Sequence, residues 1–231
     1  MSFAFFVTGT DTEIGKTTIA AALLYAAKQQ DLRTAACKPV ASGSAPSPEG
    51  LRNDDALALL AQCTKKLCYD EVNPVALAPA IAPHIAAQQA GVDLSVSRLL
   101  PTIQNILARR ADLTIVEGAG GWMVPLTELE RLSDLAQQLN LPVILVVGIR
   151  LGCINHALLT VESIQQHGLA LAGWVANYLA PENKVSQQNV QYLTTHIAAP
   201  CLGVVPYLDL ARPEQVAPYL SLQSLLSTTS S

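Results

Sequence analysis

Apolar and polar positions along the 231-residue chain fall into two alternating rhythms. Short apolar runs such as "FAFFV", "LTIVE" and "VILVV" alternate with longer stretches in which apolar residues return every three or four positions. The runs suit strands buried on both faces, and the slower period suits helices lying on a sheet. The pattern predicts strands over residues 3–7, 34–39, 113–117, 142–147, 171–177 and 201–205. Helices are predicted over 16–28, 55–63, 95–110, 129–139, 154–167 and 186–197. Pro142 opens its strand without removing an interior ladder hydrogen bond. Strands alternating with helices predict an α/β fold, a mostly parallel sheet with helices on both faces.

Residues 42–53, "SGSAPSPEGLRN", are rich in Gly, Ser and Pro but too short and too well flanked to link two domains. They are expected to form a functional loop, since open parallel sheets bind ligands at the carboxyl ends of their strands. No repeat interrupts the pattern, and the whole chain, residues 1–231, is expected to be one domain with a frayed polar tail over 222–231.

Half of the residues are apolar, enough for a sizeable core, and the formal net charge is -4. Scattered basic residues give no expectation of nucleic acid as partner. Without a leader pattern or a spanning apolar run, the expected location is cytoplasmic, with no membrane partner. Five cysteines, Cys37, Cys63, Cys68, Cys153 and Cys201, form no C-x-x-C pair and are expected to be reduced thiols. Cys153, just inside a predicted helix start, is either a thiolate favoured by the dipole or a small buried thiol.

The chemistry starts at residues 9–17, "GTDTEIGKT". Gly15, Lys16 and Thr17 sit between a strand and a helix, where a phosphate loop needs inward N–H groups, a lysine for the phosphates and a hydroxyl for magnesium. A P-loop NTPase-like fold follows from that context. The usual spacing asks for glycine where Thr10 stands, and Gly9 comes one residue too early. A threonine resists positive φ, so the loop is expected to take a different shape. Asp11 and Glu13 lie within it, although carboxylates repel phosphate; something must use them or turn them away.

Glu117 ends the strand before "GAGG", in the position of a Walker-B type magnesium ligand or of a simple turn cap. Asp54 and Asp55 open a helix, as caps, metal ligands or one of each. Lys38 ends the second strand, where it either snorkels to solvent or adds a second cation beside the loop. Asn177 ends the strand "GWVAN", where its amide offers adenine a donor and an acceptor. The following "NYLA" has no Asn-Lys-x-Asp pattern for guanine, so ATP is expected over GTP.

In combination, "GTDTEIGKT", "CKPVASG", "GLRNDDALAL", "NPVALAPAIAPHIAA", "VEGAGGW", "LPVILVVGIRLGCINHALLT" and "LAGWVAN" closely resemble dethiobiotin synthetase over residues 3–208. On this resemblance the extra loop residue is a family feature. The resemblance implies an ATP- and magnesium-dependent ligase converting 7,8-diaminononanoate and carbon dioxide or bicarbonate into dethiobiotin, ADP and phosphate in biotin synthesis. It implies magnesium ligands Thr17, Asp55 and Glu117, and catalytic Lys38 and Lys16. Nucleotide contacts fall on Thr12, Glu13, Ile14, Gly15, Lys16, Thr17, Thr18, Asp55, Glu117, Gly118, Ala119, Gly120, Asn177, Pro206, Tyr207, Leu208 and Glu214. Ser42 matches a substrate contact, and Glu13 would face the diamine. Gly152, Cys153 and Ile154 match a helix start that binds the substrate carboxylate from a second subunit, which implies a homodimer. Tyr192 is the candidate for a family tyrosine, while Trp122 and Met123 either pack around the substrate chain or belong to the core.

The rival from another class is a regulatory ATPase of the septum-site or plasmid-partition type, with the same sheet and loop. Such proteins usually carry a second lysine early in the loop, and "TGTDTEI" has none. A cobyrinate-type amidoligase would need a glutaminase domain, for which the chain has no room.

Overall fold

The structure, a computed structural model, describes residues 2–209 and 211–227. In chain order the elements are β1 (Phe3–Gly9), α1 (Lys16–Lys28), β2 (Thr34–Cys37), β3 (Val40–Ser42), β4 (Ala45–Ser47), β5 (Gly50–Arg52), α2 (Asp54–Leu60), α3 (Tyr69–Val72), β6 (Val75–Leu77) and α4 (Pro83–Ala90). There follow α5 (Val96–Leu107), β7 (Leu113–Glu117), α6 (Leu132–Leu139), β8 (Val143–Ile149), α7 (Cys153–Gln166), β9 (Leu171–Tyr178), α8 (Lys184–His196), β10 (Cys201–Val205), α9 (Pro213–Val216) and α10 (Leu222–Ser227).

Six strands form one sheet in the order β10-β9-β8-β1-β7-β2, every pair parallel. Successive residues of a strand point to opposite faces. Phe5 and Val7 of β1 therefore join the core under α1, α2 and α10, while Phe6 joins the core under α4, α5 and α6. At the β8–β9 end that second face carries Leu145, Val147 and Trp174, covered from α7 and α8 by Ala157, Val161 and Leu193. Both faces are dry, which explains why the strands read as unbroken apolar runs. β1 is central, and the chain crosses to opposite sides of it to build β7 and β8, so its carboxyl end is a topological switch point.

Short elements depart from the pattern-based expectation. Residues 42–53 contain the β4–β5 hairpin, and β3 pairs with β6 in a separate two-stranded sheet. α4 begins with Pro83 at its first position, where the missing N–H costs nothing. α5 runs through the exposed Pro101. The expected fraying of 222–231 is corrected in part: residues 222–227 form α10, anchored by buried Leu222 and Leu225, and 228–231 lie outside the described residues. Among the described residues, no helix is long and apolar enough to cross a membrane.

Candidate functional site

Strand register brings the charged residues together. Val7 of β1 lies opposite Glu117 of β7, and Cys37 of β2 lies opposite Val116. The residue after Cys37, Lys38, is therefore carried level with Glu117 at the carboxyl edge. Lys38 Nζ donates to Glu117 Oε1 at 2.6 Å and to Asp55 Oδ2 at 2.8 Å. Thr17 Oγ1 donates to the same Glu117 oxygen at 2.6 Å. The side chains of Glu117 and Lys38 are 0% and 5% exposed, whereas that of Asp55 is 49% exposed. Burial pulls the Lys38 pKa down most strongly, yet Glu117 and Asp55 together outweigh it and hold the ammonium above its ordinary value. Burial likewise pushes Asp55 up, but Lys38, Thr17 and Lys16 bring its carboxyl below the usual range. The lysine does not snorkel; it is a buried cation between carboxylates.

A buried polar relay sets where Asp55 stands. Asn53, not Asp54 or Asp55, is the N-cap of α2, its side chain accepting from the Ala56 N–H, and the two aspartates fill the first turn. The Asn53 N–H donates to Tyr69 Oη at 2.7 Å, Tyr69 Oη donates to Asn73 Oδ1 at 2.9 Å, and Asn73 Nδ2 donates to the Lys38 carbonyl at 2.7 Å. The start of α2 is thus tied to the backbone of Lys38. Tyr69→Phe leaves the buried Asn53 N–H and Asn73 Oδ1 without that partner. It is expected to cost about 1–3 kcal/mol in urea unfolding. A loss under about 0.5 kcal/mol would remove the relay from the account.

The loop solves its spacing in an unforeseen place. Positive φ falls on Glu13 (55°) and Gly15 (85°), and Thr10 is not among the residues that adopt it. A Cβ on Gly15 would lie 2.4 Å from Asn177 Nδ2, which donates to the Ile14 carbonyl at 2.9 Å, so glycine is required there for both conformation and space. Gly15 caps α1 with no side-chain hydrogen bond, which leaves the first-turn N–H groups free for an anion. Lys16 Nζ donates to the Asp11 carbonyl at 2.7 Å.

Two cavities open on this edge. One of about 790 Å³ is lined by the loop, Lys38, Asp55 and Ser42, with Ile81, Pro83, Val124 and Pro125 as an apolar wall. The other, about 180 Å³, is lined by Asn177, Tyr178, Pro206, Tyr207 and Leu208. Glu13, Gly15 and Thr18 line both, so the two form one trough. Ser42 Oγ and Glu117 Oε2 are buried with no hydrogen-bond partner among the described residues.

A family model described as an AAA domain matches residues 4–215. A protein of Pseudomonas aeruginosa named ATP-dependent dethiobiotin synthetase BioD is 62% identical over 222 residues, covering 96% of this chain and 97% of that protein. Namesakes from Cellvibrio japonicus and Yersinia pestis are 56% and 49% identical, covering 96% and 90% of this chain and 97% and 87% of their own lengths. The chain belongs to the family of ATP-dependent dethiobiotin synthetases. These are enzymes of the ligase type. Two solved structures, a ParA family ATPase from Chlorobium tepidum (TM-score 0.55, 17% identity, covering 99% of this chain and 97% of that one) and MinD from Aquifex aeolicus (0.57, 14%, 98% and 94%), share the P-loop NTPase fold alone.

Within this chain, Thr12, Glu13, Gly15, Lys16, Thr17, Thr18, Lys38, Ser42, Asp55, Ala119 and Gly120 line the large cavity. Asn177, Pro206, Tyr207 and Leu208 line the small one. Ile14 is buried beneath the loop, and Gly118 donates its N–H to the Val7 carbonyl. Glu214 lines neither cavity; it is exposed and pairs with Arg212 at 3.4 Å. Gly152, Cys153 and Ile154 start α7 outside both cavities, and Cys153 is buried. Tyr192 is exposed on α8, stacked on His196. Trp122 is core, edge-on to Phe6 and His167, while Met123 is exposed. Sequence reasoning missed Ile81, Pro83, Val124 and Pro125 as cavity wall, although one of the family motifs contains the first two. It also missed Arg150, which pairs with Asp11.

Burial lowers the Lys16 pKa to about 8 despite the opposing pull of Glu117. The unfolded chain then holds the extra proton between about pH 8 and the ordinary lysine value, so this group's contribution to stability rises with pH across that window. A lysine can hold phosphate only as its ammonium. ATP affinity is therefore expected to fall as pH rises from 7 to 9, and Lys16→Arg, which stays charged, to flatten the decline. Titration calorimetry at both pH values checks it, and equal wild-type affinities would refute it.

Proposed function

We propose that this chain carries out the ATP- and magnesium-dependent carboxylation and ring closure of 7,8-diaminononanoate, giving dethiobiotin, ADP and phosphate. The observation that carries the reading is Lys38, a buried cation held between Glu117 and Asp55 on the floor of a trough that begins at a phosphate loop. The triphosphate lies along the loop at the start of α1, with Lys16 on the β and γ phosphates. The base enters the small cavity beside Asn177, whose second amide hydrogen and carbonyl remain for adenine. The rest of the large cavity, polar at Ser42 and apolar at Ile81 and Pro83, suits an aliphatic chain ending in amines.

Thr17, Asp55 and Glu117 offer only oxygen ligands, and the bare Glu117 Oε2 gives the set an open acceptor. Among the described residues no cluster of three or more His, Cys, Asp or Glu side chains is built for a metal, but magnesium commonly takes one or two carboxylates plus substrate phosphates. The residues fit the ion. When bound, magnesium supplies charge stabilisation on the phosphate oxygens.

The chemistry then divides between substrate and side chains. An amine captures carbon dioxide as a carbamate, and a carbamate oxygen attacks the γ-phosphorus with loss of ADP. The second amine attacks the activated carbonyl carbon, closing the ureido ring and releasing phosphate. Lys38 holds the carbamate against the phosphoryl group and meets the charge developing there, Lys16 steadies the β and γ oxygens, and Glu13 faces the diamine.

On the family resemblance, Gly152, Cys153 and Ile154, which lie outside both cavities, bind the substrate carboxylate from the partner subunit of a homodimer. The nearly fully exposed Leu151 (96%) beside them supports an interface at this point. The test is phosphate release from magnesium-ATP with and without the diamine and bicarbonate, with dethiobiotin detected by mass. Release that needs both, with product formed, supports the reading; release indifferent to the diamine overturns it and reopens the regulatory-ATPase alternative.

A further inference from the structure

Asp11 has no part in that chemistry, and a free carboxylate in a phosphate loop opposes its ligand. Three groups of this residue are engaged. Its Oδ1 accepts the Thr12 N–H at 2.8 Å, its main-chain carbonyl accepts Lys16 Nζ at 2.7 Å, and its Oδ2 pairs with the Arg150 guanidinium. Arg150 comes from far along the chain, directly after β8, and its own carbonyl accepts the Cys153 N–H at 3.1 Å. The guanidinium therefore hangs from a backbone fixed by the turn that starts α7.

We propose that Arg150 is a positioning residue for the nucleotide: by pairing with Asp11 it cancels the loop's unwanted negative charge and holds the carbonyl that keeps Lys16 in place. The inference rests on the ATP-site reading above. Arg150 and Asp11 are 50% and 43% exposed, and an ion pair that open to water adds little to fold stability. Its effect is electrostatic and local. The Asp11 charge already acts on the Lys16 ammonium, so an unpaired Asp11 would compete with phosphate for that cation.

The pairing predicts a specific pattern in ATP affinity, measured by calorimetry on the full-length wild type, Arg150→Ala, Asp11→Asn and the double variant. Arg150→Ala is expected to weaken ATP about tenfold at low salt and much less at about 0.5 M salt, where exposed charges are screened, with an unchanged melting temperature. Asp11→Asn keeps the acceptor for Thr12 without the charge, so it should bind ATP at least as tightly as the wild type. In the double variant affinity should return to within about threefold of wild type. Wild-type affinity in Arg150→Ala, or an equal loss in Arg150→Ala and the double variant, would overturn the proposal; the second result would mean that the guanidinium touches phosphate itself. A wild type that binds no ATP would take down the nucleotide reading, and this inference with it.

Discussion

Lys38→Ala is expected to cut dethiobiotin formation about a thousandfold and, in the same protein, to lower stability by about 3–5 kcal/mol. The first effect follows from the proposed mechanism, in which this ammonium is the cation closest to the carbamate. The second follows from the pairing geometry alone. Glu117 is fully buried, its Oε2 has no partner among the described residues, and its Oε1 would keep only the Thr17 hydroxyl. Removing one partner of a buried pair leaves a desolvated charge without its hydrogen-bonded counter-ion, and the more distant Lys16 offsets only part of that. The Asp55 contact adds less, because that carboxylate is half exposed and water takes over its solvation. Urea unfolding and a product assay read the two effects separately. Full stability would mean that Glu117 finds another partner or a proton; activity within tenfold of wild type would remove Lys38 from the reaction.

The frame of this site was legible from sequence because each part ended a strand or opened a helix. Lys38 and Glu117 follow buried apolar runs, and in a parallel sheet such residues gather at one edge whatever the register. The register between β2, β7 and β1 was not legible, and it decides that the two meet at 2.6 Å. Elements of three or four residues, such as β3, β6 and α3, carry too little periodicity to be seen. The pattern assigns no element to proline-rich "APAIAPHIAA", although Pro83 opens a helix there. The tail misled for the opposite reason: its serines dominate the eye, while Leu222 and Leu225 fill the core under α1. Asp11 was visible as a problem, but its answer lay 139 residues away at Arg150. Pairing over such a distance leaves no local pattern.

Glu117→Gln should lower turnover by about a thousandfold through loss of the carboxylate that the proposed mechanism gives to magnesium, yet cost far less stability than Lys38→Ala. Here the buried partner left behind is Lys38, which still reaches Asp55 Oδ2 at 2.8 Å and, through Asp55, the solvent edge of the cavity. A neutral amide at residue 117 also keeps an oxygen for Lys38 and Thr17. The two substitutions thus give similar kinetics with unequal stability, a contrast that a general packing defect would not produce. The decisive protein is Lys38→Met with Glu117→Gln, which removes both buried charges while keeping much of the volume. It should recover most of the stability lost in Lys38→Met alone, since exchanging a whole buried pair for neutral groups is often neutral or stabilising. Its activity should be no worse than that of either single variant by more than about tenfold, because residues acting as one unit lose their effect once. Additive losses in stability would instead mean that Lys38 and Glu117 contribute through separate neighbours, and the ion pair would cease to explain why a lysine is buried at this edge.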